Sequence, residues 1–290
     1  MDMSNTLASI GEAVLEARKR AGVEEVTAAD GMIYCKKCGE TLMLPLHFTG
    51  ELAEKLGNTR WVPRNCNCMR AMFAVEDAEE EKKRRAEEIR GKKYTGLKSE
   101  KYRQSTFDLD DGRNPKIRRM CERYVEKRGD MIDGNYGLAF LGSNGSGKTF
   151  WASCIANALI EAGATVLMTT LTKLIQEMNA DYGEWREALM RKVKGVDFLI
   201  LDDYGAERGT EFSLEQAFEI IDTRYNVEKP LIITSNLTEE ALKNPSNENY
   251  ARSYSRIVEM CPAIIKVEGE RREAIAAEKR KALANLLRGE

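Results

Sequence analysis

An α/β fold, a parallel sheet of five strands behind a small cysteine-held module and a charged helical linker, is what this sequence predicts. Three observations carry it. Along the second half, short apolar runs with polar ends alternate with helical patterns. A glycine-rich octapeptide stands between one such run and an Ala-rich helix, and four of the seven cysteines fall in two tight pairs near the N-terminus. Strands separated by helices favour a parallel sheet covered on both faces.

Length and composition set the bounds. The 290 residues suffice for one substantial domain and a smaller module, 42% of them are hydrophobic and 32% charged, and no apolar run approaches the ~18 residues of a membrane span. The N-terminus carries acid and lacks an apolar core behind it, so the expectation is a cytoplasmic protein with no membrane partner. A net charge of −2 neither supports nor excludes nucleic acid. The expected divisions are a helix and zinc-binding module over 1–68, a linker over 69–105 and the α/β domain over 106–290.

Ser4 to Ala21 reads as an amphipathic helix with Leu7, Ile10 and Val14 on one face, which either packs on the module behind it or docks on a partner. Cys35, Cys38, Cys66 and Cys68 bracket Leu42, Leu44, Phe48 and Trp61. Four thiolates can close a tetrahedral Zn²⁺ shell, and so short a segment buries too little apolar area to fold without such a staple. The C-x-C pair is tighter than the commoner C-x₂-C and leaves fewer backbone N–H groups for its sulfurs; the other reading is free thiols. His47 lies between the pairs, but four cysteines complete the shell without it. Scattered Cys121, Cys154 and Cys261 do not suggest a disulfide framework.

Met69 to Arg103 is dominated by charge, with Glu79/Lys83, Glu80/Arg84 and Glu81/Arg85 at i, i+4 in the favourable order. An exposed linking helix is the expectation. Its basic surplus from Lys92 to Arg103 is either a solvated face or a strip for a phosphate backbone.

The strands are expected over 137–141, 165–170, 198–201, 231–234 and 264–267, with helices over 149–160, 171–179, 184–193, 214–226 and 271–287. Between the first strand and the first of these helices stand Gly142, Ser143, Asn144, Gly145, Ser146, Gly147, Lys148 and Thr149, which meet every position of G-x-x-x-x-G-K-[S/T]. Glycines let backbone N–H groups wrap phosphate oxygens, lysine reaches the β/γ-phosphates and the Thr149 hydroxyl can ligate Mg²⁺. The ligand expected is a nucleoside triphosphate. The alternative is a glycine-rich turn that binds nothing.

Phe198-Leu-Ile-Leu-Asp202-Asp203 is a buried run ending in two acids. At the C-terminal end of a strand beside the phosphate loop, Asp202 can hold the Mg²⁺ shell and Asp203 can polarise the attacking water. Leu231–Asn236 ends another buried strand, where Asn236 serves either as a γ-phosphate sensor or, like Thr238, as a helix N-cap.

With Arg252-Ser-Tyr-Ser-Arg256-Ile, this succession resembles the AAA+ ATPases of the DnaC/IstB type, helicase loaders and transposase helpers, from about Thr106 to Glu273. The resemblance implies that Phe107 lies near adenine, and that Arg256, with Arg252 second, reaches the neighbouring subunit's ATP, hence self-association. Gly269-Glu-Arg271-Arg272 departs from the usual second-sensor element and leaves Arg272 as its candidate. The lid is expected to be reduced to one helix. The resemblance also implies single-stranded DNA contacts by Lys173, Arg186, Arg191, Lys192 and Lys194, with Trp185, Leu189 and Val193 as the apolar face of that helix; a solvated outer face is the equal alternative. The function expected is ATP hydrolysis in loading a replicative helicase. A transposition helper shares the motor, and a nucleotide-gated DNA-binding adaptor with little hydrolysis is the reading of another class.

Overall fold

The chain divides into two units, Met1–Ala86 and Glu87–Glu290, and the computed structural model describes residues 3–180, 183–205, 211–245 and 248–288 of them. The first unit comprises α1 (Met3–Arg20), β1 (Glu25–Thr27), β2 (Ile33–Cys35), β3 (Met43–His47), α2 (Glu51–Leu56) and β4 (Thr59–Pro63), and α3 (Asn67–Gly96) begins in it. Its strands form two antiparallel hairpins, β1 with β2 and β3 with β4.

Among the described residues, its core holds only Cys35, Leu42, Cys66 and Met69 fully, with Ala17, Ala21, Val23, Ile33 and Phe73 packed around them. So small an apolar nucleus needs other support. Some comes from Arg18, 2% exposed, whose guanidinium donates to the carbonyls of Leu42 and Arg64 and pairs with Glu25 at 3.1 Å. Leu7 and Val14 are half-buried while Ile10 is 55% exposed, so the expected apolar face of α1 is only partly covered.

The second unit continues through α4 (Glu100–Gln104), a 3₁₀ turn (Phe107–Leu109), α5 (Pro115–Glu126), α6 (Arg128–Asp133), β5 (Leu138–Leu141), α7 (Lys148–Glu161), β6 (Val166–Thr170), α8 (Leu171–Ala180) and α9 (Glu184–Gly195). β7 (Phe198–Tyr204), α10 (Glu211–Asn226), β8 (Leu231–Ser235), α11 (Glu239–Lys243), α12 (Glu248–Met260), β9 (Ala263–Lys266) and α13 (Arg271–Arg288) complete it. The five expected strands form one sheet in the order β6-β7-β8-β5-β9, parallel throughout. β8, carrying Asn236 just past its end, therefore lies between the strands that lead to the phosphate loop and to Asp202.

Alternation along the strands divides the core between the two faces, since successive side chains point oppositely. Leu199, Leu201, Leu231 and Ile233 join one cluster with α8, α9, α10 and α12. Phe198, Ile200, Ile232 and Phe140 join the other with α5 and α7. Both faces are thus covered, which is why these strands read as unbroken apolar runs. One buried cation fastens the first face: Arg224, 0% exposed, donates to the carbonyls of Val193, Val196, Asp197 and Pro230 at 2.6–3.2 Å. Burial brings its pKa down to about 9, against the pull of Asp197.

Ahead of the expected domain start, the chain is already part of this unit. Leu97 bridges Met168 in parallel and the Lys98 N–H donates to the Met168 carbonyl at 3.1 Å, extending the sheet edge at β6. Gly96 makes the approach possible, because a Cβ there would lie 2.2 Å from the Val166 carbonyl oxygen. Part of the basic surplus of this segment is spent on the chain's own acids: Lys92 pairs with Glu88, Lys93 with Glu161 and Arg103 with Glu100. Among the described residues no helix is long and apolar enough to cross a membrane.

Candidate nucleotide site and cysteine cluster

The parallel register brings Leu141, Asp202 and Ser235 to one edge of the sheet, where backbone and side chains form a polar cluster. At that edge β7 and β8 slip register between Leu201 and Tyr204, and Asp203 takes a left-handed φ of 59°. The slip releases Asp202 and Asp203 from plain strand alternation. Asp202 turns inward, 6% exposed, while Asp203 faces solvent.

Three hydroxyls converge on Asp202. Thr149 Oγ1 donates to Oδ1 at 2.8 Å, Thr234 Oγ1 to the same oxygen at 2.6 Å, and Tyr102 Oη to Oδ2 at 2.9 Å. Thr234 Oγ1 also accepts the Asp203 N–H at 2.9 Å, which anchors the left-handed residue. Beside them Lys148 Nζ donates to the Gly142 and Ser143 carbonyls and to Asn236 Oδ1, all at 2.8–2.9 Å. The Asn236 amide lies 3.4 Å from Asp203 Oδ1. Burial lowers the Lys148 pKa, Asp203 and Asp202 oppose that, and the nearby Arg272 charge adds to it. Asn236 is no helix cap: Thr238 caps α11, accepting from the Ala241 N–H at 3.1 Å.

The loop itself fits a triphosphate on structural grounds. Gly147 caps α7 with φ 111°, so the positive end of the 14-residue helix opens onto the loop. A Cβ on Gly142 would meet the Val267 carbonyl oxygen at 2.2 Å, and one on Gly145 would lie 3.1 Å from the Arg272 Cβ. Ser146 is 2% exposed and its hydroxyl has no hydrogen-bond partner, a donor a phosphate oxygen would satisfy. Thr149 and Asp202 provide the oxygen donors that Mg²⁺ prefers. Mg²⁺ held there would offset charge on the β- and γ-phosphates.

Phe107 sits in the 3₁₀ turn with its ring 6.5 Å from Trp151. Arg272 lies across the loop, its N–H donating to the Gly145 carbonyl at 3.0 Å. Arg271, which carried no expectation, stacks over the Phe150 ring at 3.7 Å and pairs with Asp111 at 2.9 Å. Arg256 is held within its own chain, paired with Asp222 and lying 4.5 and 5.2 Å over the rings of Phe218 and Tyr225. Arg252, on the same helix, is exposed.

The basic residues of α8 and α9 are largely engaged. Arg186 pairs with Glu219 and Arg191 with Glu187, while Lys192 and Lys173 donate to the carbonyls of Thr95 and Lys98. Lys194 is exposed. The expected apolar face of α9 needs correction: Leu189 and Val193 are buried, but Trp185 is 60% exposed, because it lies in the first turn, where α9 has only just begun to pack.

In the first unit, the sulfurs of Cys35, Cys38, Cys66 and Cys68 all lie within 4.8 Å of one another. Burial raises the Cys35 pKa, but hydrogen bonds from the Cys38 and Lys37 backbone and from neighbouring thiols outweigh it and bring the group to about 7. Four sulfur donors at this spacing suit a tetrahedral Zn²⁺, which would cross-link the two cysteine loops where apolar burial is scarce. His47 stands apart, its Nδ1 3.0 Å from Thr59 Oγ1.

A parallel sheet in this order, with a phosphate loop after β5, an acid pair on β7 and an asparagine just past the end of β8 between them, defines an AAA+ P-loop ATPase fold. The chain belongs to the IstB-like ATP binding protein family, whose model matches residues 72–262. It is 31% identical over 116 residues to the uncharacterized protein YdaV of Escherichia coli K12, covering 39% of this chain and 47% of that one. To the replicative helicase loader DnaC of the same strain it is 28% identical over 125 residues, 41% of this chain and 49% of the relative. The chain thus spans about half the length of these curated relatives. A crystal structure of the DnaC helicase loader matches its fold with a TM-score of 0.50 at 24% identity, covering 59% of this chain and all of that one.

Proposed function

We propose that this chain is an ATP-dependent helicase loader, binding ATP with Mg²⁺ at Gly142–Thr149, hydrolysing it, and acting on a replicative helicase and single-stranded DNA. The observation that carries the ATPase reading is the clustering of Thr149, Asp202, Asp203, Lys148 and Asn236 at one sheet edge. Lys148 would exchange its carbonyl partners for phosphate oxygens. Asp202 would hold the Mg²⁺ shell through Thr149, Asp203 would polarise the attacking water, and Asn236, bonded to Lys148 and close to Asp203, would register the γ-phosphate. Arg256 of a neighbouring copy would stabilise charge on the transferred phosphoryl group, which requires self-association. Phe107 and Arg272 would border the base and the phosphates.

Under this reading residues 1–68, with zinc on the four cysteines, grip the helicase, and 106–290 form the motor, to whose sheet edge and Asp202 the end of the 69–105 linker is joined. Similarity to replicative helicase loaders supports the partner; the family's name equally suits a transposition helper with the same motor. Steady-state turnover of the full chain and of Lys148→Ala, with and without single-stranded DNA, tests the motor: turnover surviving in the variant refutes it, and a wild type without turnover leaves the adaptor reading. Binding of the full chain to a purified hexameric replicative helicase tests the partner. Binding to a transposase instead would assign the chain to transposition.

A further inference from the structure

Tyr102 lies outside every motif of the sequence, in the charged run Glu100–Gln104, yet its hydroxyl reaches the acid at the centre of the nucleotide site. Its ring is 7% exposed and packs in the cluster that contains Trp151, Ile155 and Met168. The helix that carries it is fixed to the helix that follows the phosphate loop. Asn157, 1% exposed, donates its side-chain amide to the Tyr102 carbonyl at 2.7 Å and to the Ser105 carbonyl at 2.9 Å. Arg103 closes the turn from the other side by donating to the Leu97 carbonyl at 2.7 Å. The phenol is therefore held, rather than resting against the acid by chance.

A carboxylate offers about four lone-pair sites. On Asp202, Oδ1 already serves two hydroxyls, those of Thr149 and Thr234, and Oδ2 serves Tyr102. One site, on Oδ2, is left. Tyr102 fixes which way that site points. Thr149 can keep donating to Oδ1 while its own lone pair faces a cation.

Resting on the ATP–Mg²⁺ reading of this site, we propose that Tyr102 is a positioning residue for the divalent cation: by occupying one lone pair of Asp202 Oδ2, it aims the remaining one at the metal shell. The residue acts through Asp202 and touches neither nucleotide nor water in the reaction. It also makes the site depend on a segment that precedes the α/β fold in sequence.

The test is Tyr102→Phe in the full chain, which removes the hydroxyl and keeps the ring. Binding of a fluorescent ATP analogue is measured in EDTA and across a Mg²⁺ titration, with thermal melting alongside. Asp202 contributes through the cation, so affinity in EDTA should stay within twofold of wild type. The Mg²⁺ needed for half-maximal tightening should rise about tenfold, as expected for loss of a hydrogen bond to a charged group. A merely structural tyrosine would weaken both conditions alike and lower the melting temperature, and that outcome overturns the proposal. So does a Mg²⁺ dependence equal to wild type. A wild-type chain whose nucleotide binding ignores Mg²⁺ overturns the ATP–Mg²⁺ reading beneath it, and is told apart because the failure then precedes the mutation.

Discussion

Thr234→Val separates the work of one hydroxyl from that of its methyl. Thr234 is fully buried; its Oγ1 gives a 2.6 Å bond to Asp202 and receives one of 2.9 Å from the Asp203 N–H. Valine fills the same volume and makes neither. A hydrogen bond to a charged acceptor is worth about 1.5–3 kcal/mol, and an N–H left without a partner in a partly buried place costs ~1 kcal/mol at the low end of the usual range. Because the two losses share one atom they do not simply add, and about 2–4 kcal/mol is the expectation. For a unit of this size that is a fall in melting temperature of roughly 4–15 °C. The left-handed Asp203 also loses its anchor, so turnover should drop about 10²-fold, the usual result of misplacing a reacting group by an ångström. Differential scanning fluorimetry and a coupled ATPase assay on the wild type, Thr234→Val and Thr234→Ser read both quantities. The serine variant should keep most of each. A valine variant that melts and turns over like wild type would refute the reasoning.

Two further substitutions probe the frame around the site. Arg224→Met leaves the carbonyls of Val193, Val196, Asp197 and Pro230 without their buried donor; urea unfolding should show a loss of at least ~3 kcal/mol, and a change under 1 kcal/mol would mean water replaces the guanidinium. Cys66→Ser removes a buried sulfur from the four-cysteine cluster. Metal analysis should find one zinc per wild-type chain and much less in the variant, with nucleotide affinity unchanged because the cysteines and the phosphate loop lie in different units. A wild type purified without metal from zinc-supplemented cells would argue for free thiols.

The strands β5 to β8 were legible because they are buried on both faces, so apolar runs such as Phe198–Leu201 and Leu231–Ile233 carry no competing pattern, while the edge strand β9 keeps only Ile264 and Ile265 of such a run at least partly covered. The phosphate loop was legible because its requirements are local: small residues, a lysine and a hydroxyl at fixed spacing. Contacts that depend on distant residues were not. Tyr102 meets Asp202 across 100 positions, and no periodicity marks it. Thr234 left a fainter trace, as a hydroxyl two places before Asn236 that with Ser235 ends an otherwise apolar strand. Trp185 was misplaced because i, i+4, i+8 spacing gives the direction of a side chain but not whether a neighbour lies opposite. Among the basic residues of α8 and α9, Glu187/Arg191 stands at the legible i, i+4 spacing, but nothing local marked that Glu219 and backbone carbonyls would claim Arg186, Lys192 and Lys173.

If Arg256 completes the site of a neighbouring copy as proposed, it is silent in a single copy. Its guanidinium lies over Phe218 and Tyr225 and pairs with Asp222, all within its own chain. At a partly exposed position each ring contact is worth roughly 0.5–1 kcal/mol, and the ion pair up to ~1 kcal/mol. Releasing the arginine thus costs about 1–3 kcal/mol, so roughly 1–15% of isolated chains would present it freely. Under the proposed function, contact between copies would supply that energy. Turnover per chain should therefore rise with protein concentration, and Asp222→Asn, by loosening the cradle, should move the rise to lower concentration. Arg256→Ala should abolish turnover at every concentration yet leave nucleotide binding intact, since in this chain the arginine is engaged by Asp222 and the two rings. Turnover that is independent of concentration and indifferent to Arg256→Ala would leave the arginine a purely structural part of α12, and the ATP site would then have to be complete within a single chain.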